Sequence, residues 1–389
     1  MALNNTTQIY AQSVDPAGNA SPCSLMLTYT HDDVTPVVEN VRSTVGDGGY
    51  KVGQIIPIEV RFSENVTVTG VPQLTLETGG SDAVVQYDSG SGSNVLVFKY
   101  TVGSNQTATR LDYVSNAALV LNGGKIQDKV QSDANLTLPN PGASGSLGSN
   151  NNILIDTAIP VITYSSVSPA SPGTGRTPAI TMALSENSTV TLYSNSGCSN
   201  AISAATALSG ASGQTITTNT LNANASTTIY AKAVDGVTNE SICTSMIVYT
   251  HDDIAPTISS FGRAVGQSAF TNSLPMNFAV RFSEAIDPTT FTASDISNTG
   301  TAAGVTWTVS DSGDHKNFTV AATAAANGTL KPSFAASAVN DPAGNMISSV
   351  STSSNDVAYS VAAFTVTLNQ AAGQVDPANT LPISYTVVF

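Results

Sequence analysis

Acidic residues recur along this chain in a pattern that suits the binding of hard cations. The tripeptide His-Asp-Asp occupies 31–33 and again 251–253, and each copy precedes a Glu and, further on, an Asp in a polar turn. Carboxylates and loop carbonyls supply the roughly six to eight oxygens that Ca²⁺ takes in proteins. The predicted calcium ligands are Asp32, Asp33, Glu64 and Asp128 at a first site, Asp156, Glu186 and Asp235 at a second, and Asp252, Asp253, Glu284 and Asp341 at a third.

Two other roles are open for the same residues. An Asp in a turn such as DPAGN can accept hydrogen bonds from its own backbone, and a Glu at a strand end can simply be solvated. The histidines beside the aspartates, His31 and His251, are of a type that zinc or nickel also binds. Because each site has a single histidine, we instead expect these two residues to contact the following domain.

The spacing of the acidic residues indicates a repeat array. Segments 9–33 and 229–253 agree at 14 of 25 positions, with a constant offset of 220 residues. Self-similarity at a fixed offset is typical of proteins built from repeated structural units. The elements that position the carboxylates are therefore expected to recur as well.

Linkers are predicted where a proline follows an acidic residue within four positions, at Asp33, Asp156 and Asp253. The domains between these linkers are predicted to be 34–157, 158–253 and 254–361. Segments 1–33 and 362–389 repeat parts of these domains. We expect segment 1–33 to be the closing strands of one further domain and segment 362–389 the opening strands of another.

Composition favours an all-β fold and excludes several functions. The 389 residues are rich in Thr, Ser, Val, Asn and Gly, which favour strands and turns. A net charge of −14 argues against nucleic acid as a partner, since phosphates would be repelled. No apolar run reaches the roughly 18 residues that span a bilayer, so no membrane insertion is expected. Of three histidines, none stands naturally beside a Ser or Cys nucleophile, so no enzymatic activity is expected.

Alternating segments such as VLVFKYTV and TTIYAKAV have the period of two that half-buried strands show, and predict tandem β-sandwiches. In an immunoglobulin-like sandwich the loops after strands B and F lie at the end where the chain enters. The preceding linker lies at the same end. This topology predicts that the linker Asp, the Glu and the turn Asp of each set come together. The single tryptophan, Trp307, is expected in a core.

The cysteines fit the domain boundaries. Cys198 and Cys243 fall 45 residues apart in one predicted domain, and they are predicted to form a disulfide. Cys23 is the positional equivalent of Cys243 and is expected to be unpaired. The alternative is three free thiols in a reducing compartment.

Several segments resemble known β-domain families. IYAQSVDPAGN and IYAKAVDGVTN look like the sixth strand of fibronectin type III and related bacterial immunoglobulin-like domains, with Tyr10 and Tyr230 at the tyrosine-corner position. The segments PIEVRFSENV (57–66), PMNFAVRFSEAI (275–286) and AVNDPAGN (338–345) resemble the Ig-like and cadherin-like repeats of large bacterial surface adhesins. The resemblance implies an extracellular stalk on a bacterial cell surface, with calcium at the linkers as in cadherins.

Other functions are compatible with such an array. One domain could recognise a glycan or protein of a host or bacterial surface through its loops, although aromatic residues make up only 6% of the chain. The incomplete terminal segments could instead pair with other chains in a self-assembling filament. The array could also be a non-catalytic extension of a modular hydrolase.

Overall fold

A computed structural model describes residues 4–363 and 365–389, and its regular structure is almost entirely β. Three separate apolar cores are built from residues within 41–155, 162–249 and 258–359. The predicted all-β fold of tandem Ig-like sandwiches is confirmed. Within the described residues no helix is long and apolar enough to cross a membrane.

Residues 4–33 form an antiparallel hairpin of strands β1 (Thr6–Ala11) and β2 (Ser24–Thr30). Its register shifts between Ile9 and Tyr10, as the matching hairpin of the second domain does between Ile229 and Tyr230. The 220-residue repeat therefore extends from sequence to strand register. Cys23 lies on this hairpin as an exposed free thiol.

The first domain, with its core within 41–155, is organised around the long strand β5. Its alternate residues Ile56, Ile58, Val60 and Phe62 are fully buried, because side chains along a strand point to opposite faces in turn. The elements are β3 (Val38–Ser43), β4 (Gly48–Tyr50), β5 (Ile55–Thr69), β6 (Gln73–Glu77), β7 (Ala83–Ser89), β8 (Ser93–Thr101), β9 (Asp112–Tyr113), β10 (Leu119–Val120), β11 (Lys125–Gln127), the short helix α1 (Leu147–Asn150) and β12 (Ile153–Ile155).

The second domain, with its core within 162–249, is a seven-stranded sandwich. A three-stranded sheet in the order β13-β14-β17 packs against a four-stranded sheet in the order β16-β15-β18-β19. A disulfide joins Cys198 and Cys243, whose Cα atoms are 5.8 Å apart. The strands are β13 (Ile162–Ser168), β14 (Ala179–Leu184), β15 (Ser188–Tyr193), β16 (Thr206–Leu208), β17 (Gln214–Thr217), β18 (Ser226–Val234) and β19 (Thr244–Thr250).

The third domain has an aromatic core within 258–359, in which Phe282 contacts Phe291, Phe318 and Phe334. Trp307 is half-buried and meets Phe278 edge to face. The elements are β20 (Ile258–Arg263), β21 (Phe270–Thr271), β22 (Met276–Phe282), 3₁₀ helices Pro288–Thr290 and Ala293–Asp295, β23 (Ile296–Asn298), β24 (Thr306–Asp311), β25 (Asn317–Ala324), β26 (Gly328–Leu330), β27 (Pro332–Phe334), β28 (Ser351–Thr352) and β29 (Val357–Tyr359).

Beyond the third domain, β30 (Thr367–Gln370) and β31 (Tyr385–Val388) pair antiparallel. Their side chains are exposed, as are those of the N-terminal strand β2. The two terminal hairpins therefore lack the apolar cores that the three domains have.

Candidate metal sites at the domain junctions

Three acidic trios lie where the chain enters each of the three domains. In every trio one carboxylate oxygen from each residue lies within 4.8 Å of the others. The turn Asp is buried in all three, while the linker Asp and the Glu are half-buried. The first trio is Asp32, Glu64 and Asp128, the second is Asp156, Glu186 and Asp235, and the third is Asp252, Glu284 and Asp341.

The linker aspartate of each trio is fixed by its own backbone. Oδ1 of Asp252 accepts a hydrogen bond from the N–H of Ile254 at 3.1 Å. Asp32 and Asp156 accept the equivalent bonds from Val34 and Ala158 at 3.2 and 3.0 Å. This local turn leaves the other carboxylate oxygen free for the trio.

Asp33 and Asp253 were also predicted as ligands, but they are exposed and lie outside the trios. Their backbone N–H groups donate to Asn4 and Asn224, respectively, in the domain that precedes each junction. Each junction therefore directs a single linker carboxylate toward the next domain.

The glutamate is placed by the serine that precedes it. In the third domain Ser283 Oγ accepts the N–H of Thr257 at 2.9 Å, and the N–H of Ser283 donates to the Thr257 carbonyl at 2.8 Å. The same reciprocal pair joins Ser63 with Val37 and Ser185 with Val161. Sequence reasoning missed these serines, although a Ser-Glu pair stands at the same point in all three domains.

The glutamates differ in their local strand structure. Glu186 and Glu284 follow β14 and β22, as expected for residues after strand B. Glu64 instead lies inside β5, where the pairing with β8 shifts register between Arg61 and Val66. Glu64 keeps the alternation of the strand, because it is half-buried on the same face as the buried Phe62 and Val66.

The turn aspartate serves the turn and the trio at once. Oδ1 of Asp235 accepts the N–H groups of Val237 and Asn239 at 2.9 and 2.8 Å. Oδ1 of Asp128 accepts those of Val130 and Ser132, both at 2.8 Å. The turn and ligand roles are therefore not exclusive, since neither aspartate uses Oδ2 in these backbone bonds.

The partner of that second oxygen distinguishes the first trio from the others. In the third domain Asn345 Nδ2 donates to Asp341 Oδ2 at 2.8 Å and to the linker carbonyl of Asp252 at 3.1 Å. Asn239 makes the same two bonds to Asp235 and Asp156 at the same distances. In the first domain the corresponding residue is Ser132.

The first trio contains orphaned carboxylate oxygens. Asp128 is 4% exposed, and its Oδ2 is buried without a hydrogen-bond partner among the described residues. Oε1 of Glu64 is in the same state. Unpaired buried carboxylate oxygens cost free energy, so this donor set fits a bound hard cation.

Burial raises the pKa of the glutamate in every trio. For Glu64, Glu186 and Glu284 desolvation is the largest cause, and the negative charges of the two aspartates of the same trio raise the pKa further. Each trio thus has more negative charge than its surroundings stabilise. A cation or a proton would relieve that repulsion.

The two linker histidines contact the domain that precedes the linker. The expectation that they contact the following domain is wrong. His251 is 1% exposed; its Nδ1 accepts the N–H of Asn224 at 2.9 Å, and its Nε2 lies 3.1 Å from the Thr174 carbonyl. Both partners belong to the second domain, which precedes the linker. His31 similarly accepts the N–H of Asn4 at 3.2 Å. Neither ring nitrogen of His251 is left for zinc or nickel.

The tyrosine-corner assignment also shifts. Tyr10 is exposed and bonds Gln8, and Tyr230 is only half-buried. In the second domain the buried Tyr249 donates its hydroxyl to the backbone, to the Gly175 carbonyl at 2.7 Å. It stands on the last strand of the domain and ties that strand to the loop before β14.

No family model matches the sequence, and no curated protein sequence matches it significantly. Among solved structures, an I-band fragment of titin is similar over 85% of this chain and 98% of its own, with 7% identity and a TM-score of 0.33. The S-layer protein SbsC is similar over 91% and 63%, with 12% identity and a TM-score of 0.19. The EC1-4 fragment of Drosophila N-cadherin is similar over 86% and 78%, with 12% identity and a TM-score of 0.22. Identities this low concern the fold alone.

Proposed function

We propose that this chain is a structural stalk segment of a large bacterial cell-surface adhesin, in which calcium bound at the domain junctions limits bending. The observation that carries the proposal is the recurrence of one acidic trio where the chain enters each of the three domains. Every trio combines one linker carboxylate with two carboxylates of the following domain. A bound cation would therefore tie the linker to that domain.

The stiffening follows from electrostatics. Three carboxylates with oxygens within 4.8 Å of one another repel, and the repulsion favours movement of the linker away from the domain. Ca²⁺ reverses this preference, since it is attracted to all three and accepts additional carbonyl or water oxygens in a flexible geometry. Bending at the junction would then require breaking the coordination.

Two features support an extracellular location. The Cys198–Cys243 disulfide is of a kind that persists in oxidising compartments. The net charge of −14 keeps an extended array soluble and discourages association between chains. The proposed partners are the neighbouring repeats of the same polypeptide and, at a distal module, a surface glycan or protein. We propose no enzymatic role.

Small-angle X-ray scattering tests the proposal. We expect the maximum dimension of the purified chain to increase on addition of millimolar Ca²⁺ and to decrease with chelator. The control is the triple variant Glu64→Gln, Glu186→Gln, Glu284→Gln, which keeps the side-chain size and removes one charge from each trio. Identical profiles of the unsubstituted chain in calcium and in chelator would contradict calcium-dependent stiffening.

A second function, recognition of a glycan or protein, is favoured by one polar groove on the first domain. The groove has a volume of about 660 Å³ and lies beside the first trio. Its lining includes Lys125, Gln127 and Lys129, two of which are among the few basic residues of an acidic chain. A glycan-array screen of the chain and of Lys125→Ala tests this function; binding that the substitution abolishes would support it.

A further inference from the structure

The three junctions have the same arrangement of carboxylates. They differ in the group that joins the linker to the following domain, which we call the closure of the junction. We propose that the first trio is the one high-affinity divalent-cation site, and that in the second and third junctions an asparagine amide performs the closure without a cation. Calcium would then control bending at the first junction alone. The inference rests on the proposed function, in that it identifies which of the three trios the cation regulates.

The first trio needs a positive partner that the described residues do not supply. Asp128 Oδ2 and Glu64 Oε1 are buried and have no hydrogen-bond donor in the described part of the chain. Asp128 and Glu64 belong, with Asp32, to the trio in which one carboxylate oxygen of each residue lies within 4.8 Å of the others. A divalent cation at that point would pair both orphaned oxygens and Asp32 together.

The second and third trios have a donor in that place. Asn239 and Asn345 each donate Nδ2 to the turn aspartate at 2.8 Å and to the linker carbonyl at 3.1 Å. Each amide thus satisfies the second oxygen of the turn aspartate. It also joins linker to domain, which is the mechanical task proposed for the cation.

Among the residues that the structure describes, the first junction has no such link. In the structure as described, every hydrogen bond of linker residues 31–33 has its partner within 4–34. The third junction has the Asn345 bond, and the second has in addition a direct contact between domains, Lys51 Nζ to the Thr238 carbonyl at 2.8 Å. Resistance to bending without calcium should therefore increase from the first junction to the third and then to the second.

Calcium titration of the full chain by isothermal calorimetry tests whether the three trios differ in their affinity for Ca²⁺. Mg²⁺ is the comparison ion. We expect one site that binds Ca²⁺ about tenfold or more tightly than the rest, because a hydrogen bond to a charged group contributes on this scale. Ser132→Asn should weaken that site about tenfold, and Asn345→Ser should create a second tight site. Each substitution installs a residue that another domain of this chain already has at the equivalent position.

Three equal sites, or a tight site unchanged by Ser132→Asn, would overturn the inference and leave calcium-dependent stiffening intact. No calcium binding by the unsubstituted chain would overturn both. Tight binding lost at about pH 5 and present at about pH 7 would support the carboxylates as ligands, since protons compete for the same oxygens.

A distance measurement gives a readout that does not depend on binding at the first site. Fluorophores on Thr217→Cys and Thr308→Cys, two exposed strand positions, span the third junction in a Cys23→Ser background. The distance distribution should be the same in calcium and in chelator. With Asn345→Ser added, chelator should broaden it. Broadening in chelator without Asn345→Ser, or none with it, would contradict the amide closure.

Discussion

The trio that contains Asp128 and the trio that contains Asp341 have the same types of carboxylate in the same arrangement. They differ in the residue that lies four positions after the turn aspartate. Asp341 has Asn345, whose amide reaches the second carboxylate oxygen and the linker carbonyl. Asp128 has Ser132, which offers only its backbone N–H. One side chain, four residues after the turn aspartate, therefore separates a junction closed by hydrogen bonds from one left with orphaned negative charge.

The N-terminal hairpin shows that asparagine is the common choice at this position. Asn19 donates Nδ2 to Asp15 Oδ2 at 2.9 Å, and this bond is the largest cause of the lowered pKa of Asp15. Of the four repeat-equivalent turns, three thus have an asparagine at this position, and the turn of the first domain is the exception. The comparison shows that the three convergent trios differ in the neutral donors around them, which is the basis of the proposal that they differ in cation affinity.

The largest expected effect comes from removal of the turn aspartate. Asp341→Ala should lower the unfolding free energy of the third domain by about 3 kcal/mol in chelator, because it leaves buried donors without acceptors. Trp307, the single tryptophan, reports this transition by fluorescence in urea. Asp128→Ala should cost about 1 kcal/mol in the first domain, since it also relieves repulsion within the trio. Equal losses, with the first domain followed by hydrogen exchange of β5 and β8, would remove the distinction between the trios.

The linker histidines extend the comparison to the preceding domain. His251→Ala should destabilise the second domain by about 2 kcal/mol, because it removes a fully buried ring and leaves the Asn224 N–H unpaired. His31→Ala, at a half-buried position, should cost less than about 1 kcal/mol. Hydrogen exchange at the partners Asn224 and Asn4 measures both. Similar losses of hydrogen-exchange protection in the two variants would contradict the expectation that the more buried histidine contributes more stability.

A smaller effect is expected at the second junction, where the domains touch directly. Lys51→Met should lower the melting temperature of the second domain slightly, by the equivalent of about 0.5 kcal/mol, because an exposed charged hydrogen bond contributes little. Lys99→Met, at an exposed position of the first domain, which also contains Lys51, is the matched control. A loss of the same size in the control would show that the Lys51–Thr238 contact adds no stability.

The smallest effect is a pH dependence of the third domain in chelator. The raised pKa of Glu284 means that the folded state binds a proton more tightly than the unfolded state does. The contribution of Glu284 to stability is therefore fully present below the ordinary value of 4.5 and is lost as pH rises through the folded-state pKa. Glu284→Gln should remove this loss of stability on the alkaline side of 4.5, measured by Trp307 fluorescence. An unchanged slope would assign the dependence to other groups.

The fold and the set of converging acidic residues were predictable because they follow from local patterns in the sequence. Strand alternation and repeat spacing indicated the all-β tandem fold, and the position of linker, strand B and F–G turn in a sandwich indicated which acids converge. The pairing of Cys198 with Cys243 also followed from their shared domain, and the structure has that bond. These features depend on chain order and on a period of two, which a sequence displays directly.

Other features depended on which atoms face one another. The role of Ser283 and its equivalents, the exclusion of Asp33 and Asp253, and the placement of His251 against the preceding domain did not follow from spacing. Each depends on side-chain direction at a turn, where neighbouring residues point to opposite sides.

The sequence by itself determined that three carboxylates recur at every junction, because their spacing along the strands and turns is preserved in each repeat. Only the tertiary structure decided that the recurrences are unequal. A hydrogen bond from Asn345 depends on two atoms from residues 93 positions apart lying 3.1 Å from one another, and that proximity is set by packing of linker, strand and turn together. Ser132 and Asn345 differ little as surface residues of a loop, but in the folded junction one leaves a buried carboxylate oxygen unpaired and the other pairs it.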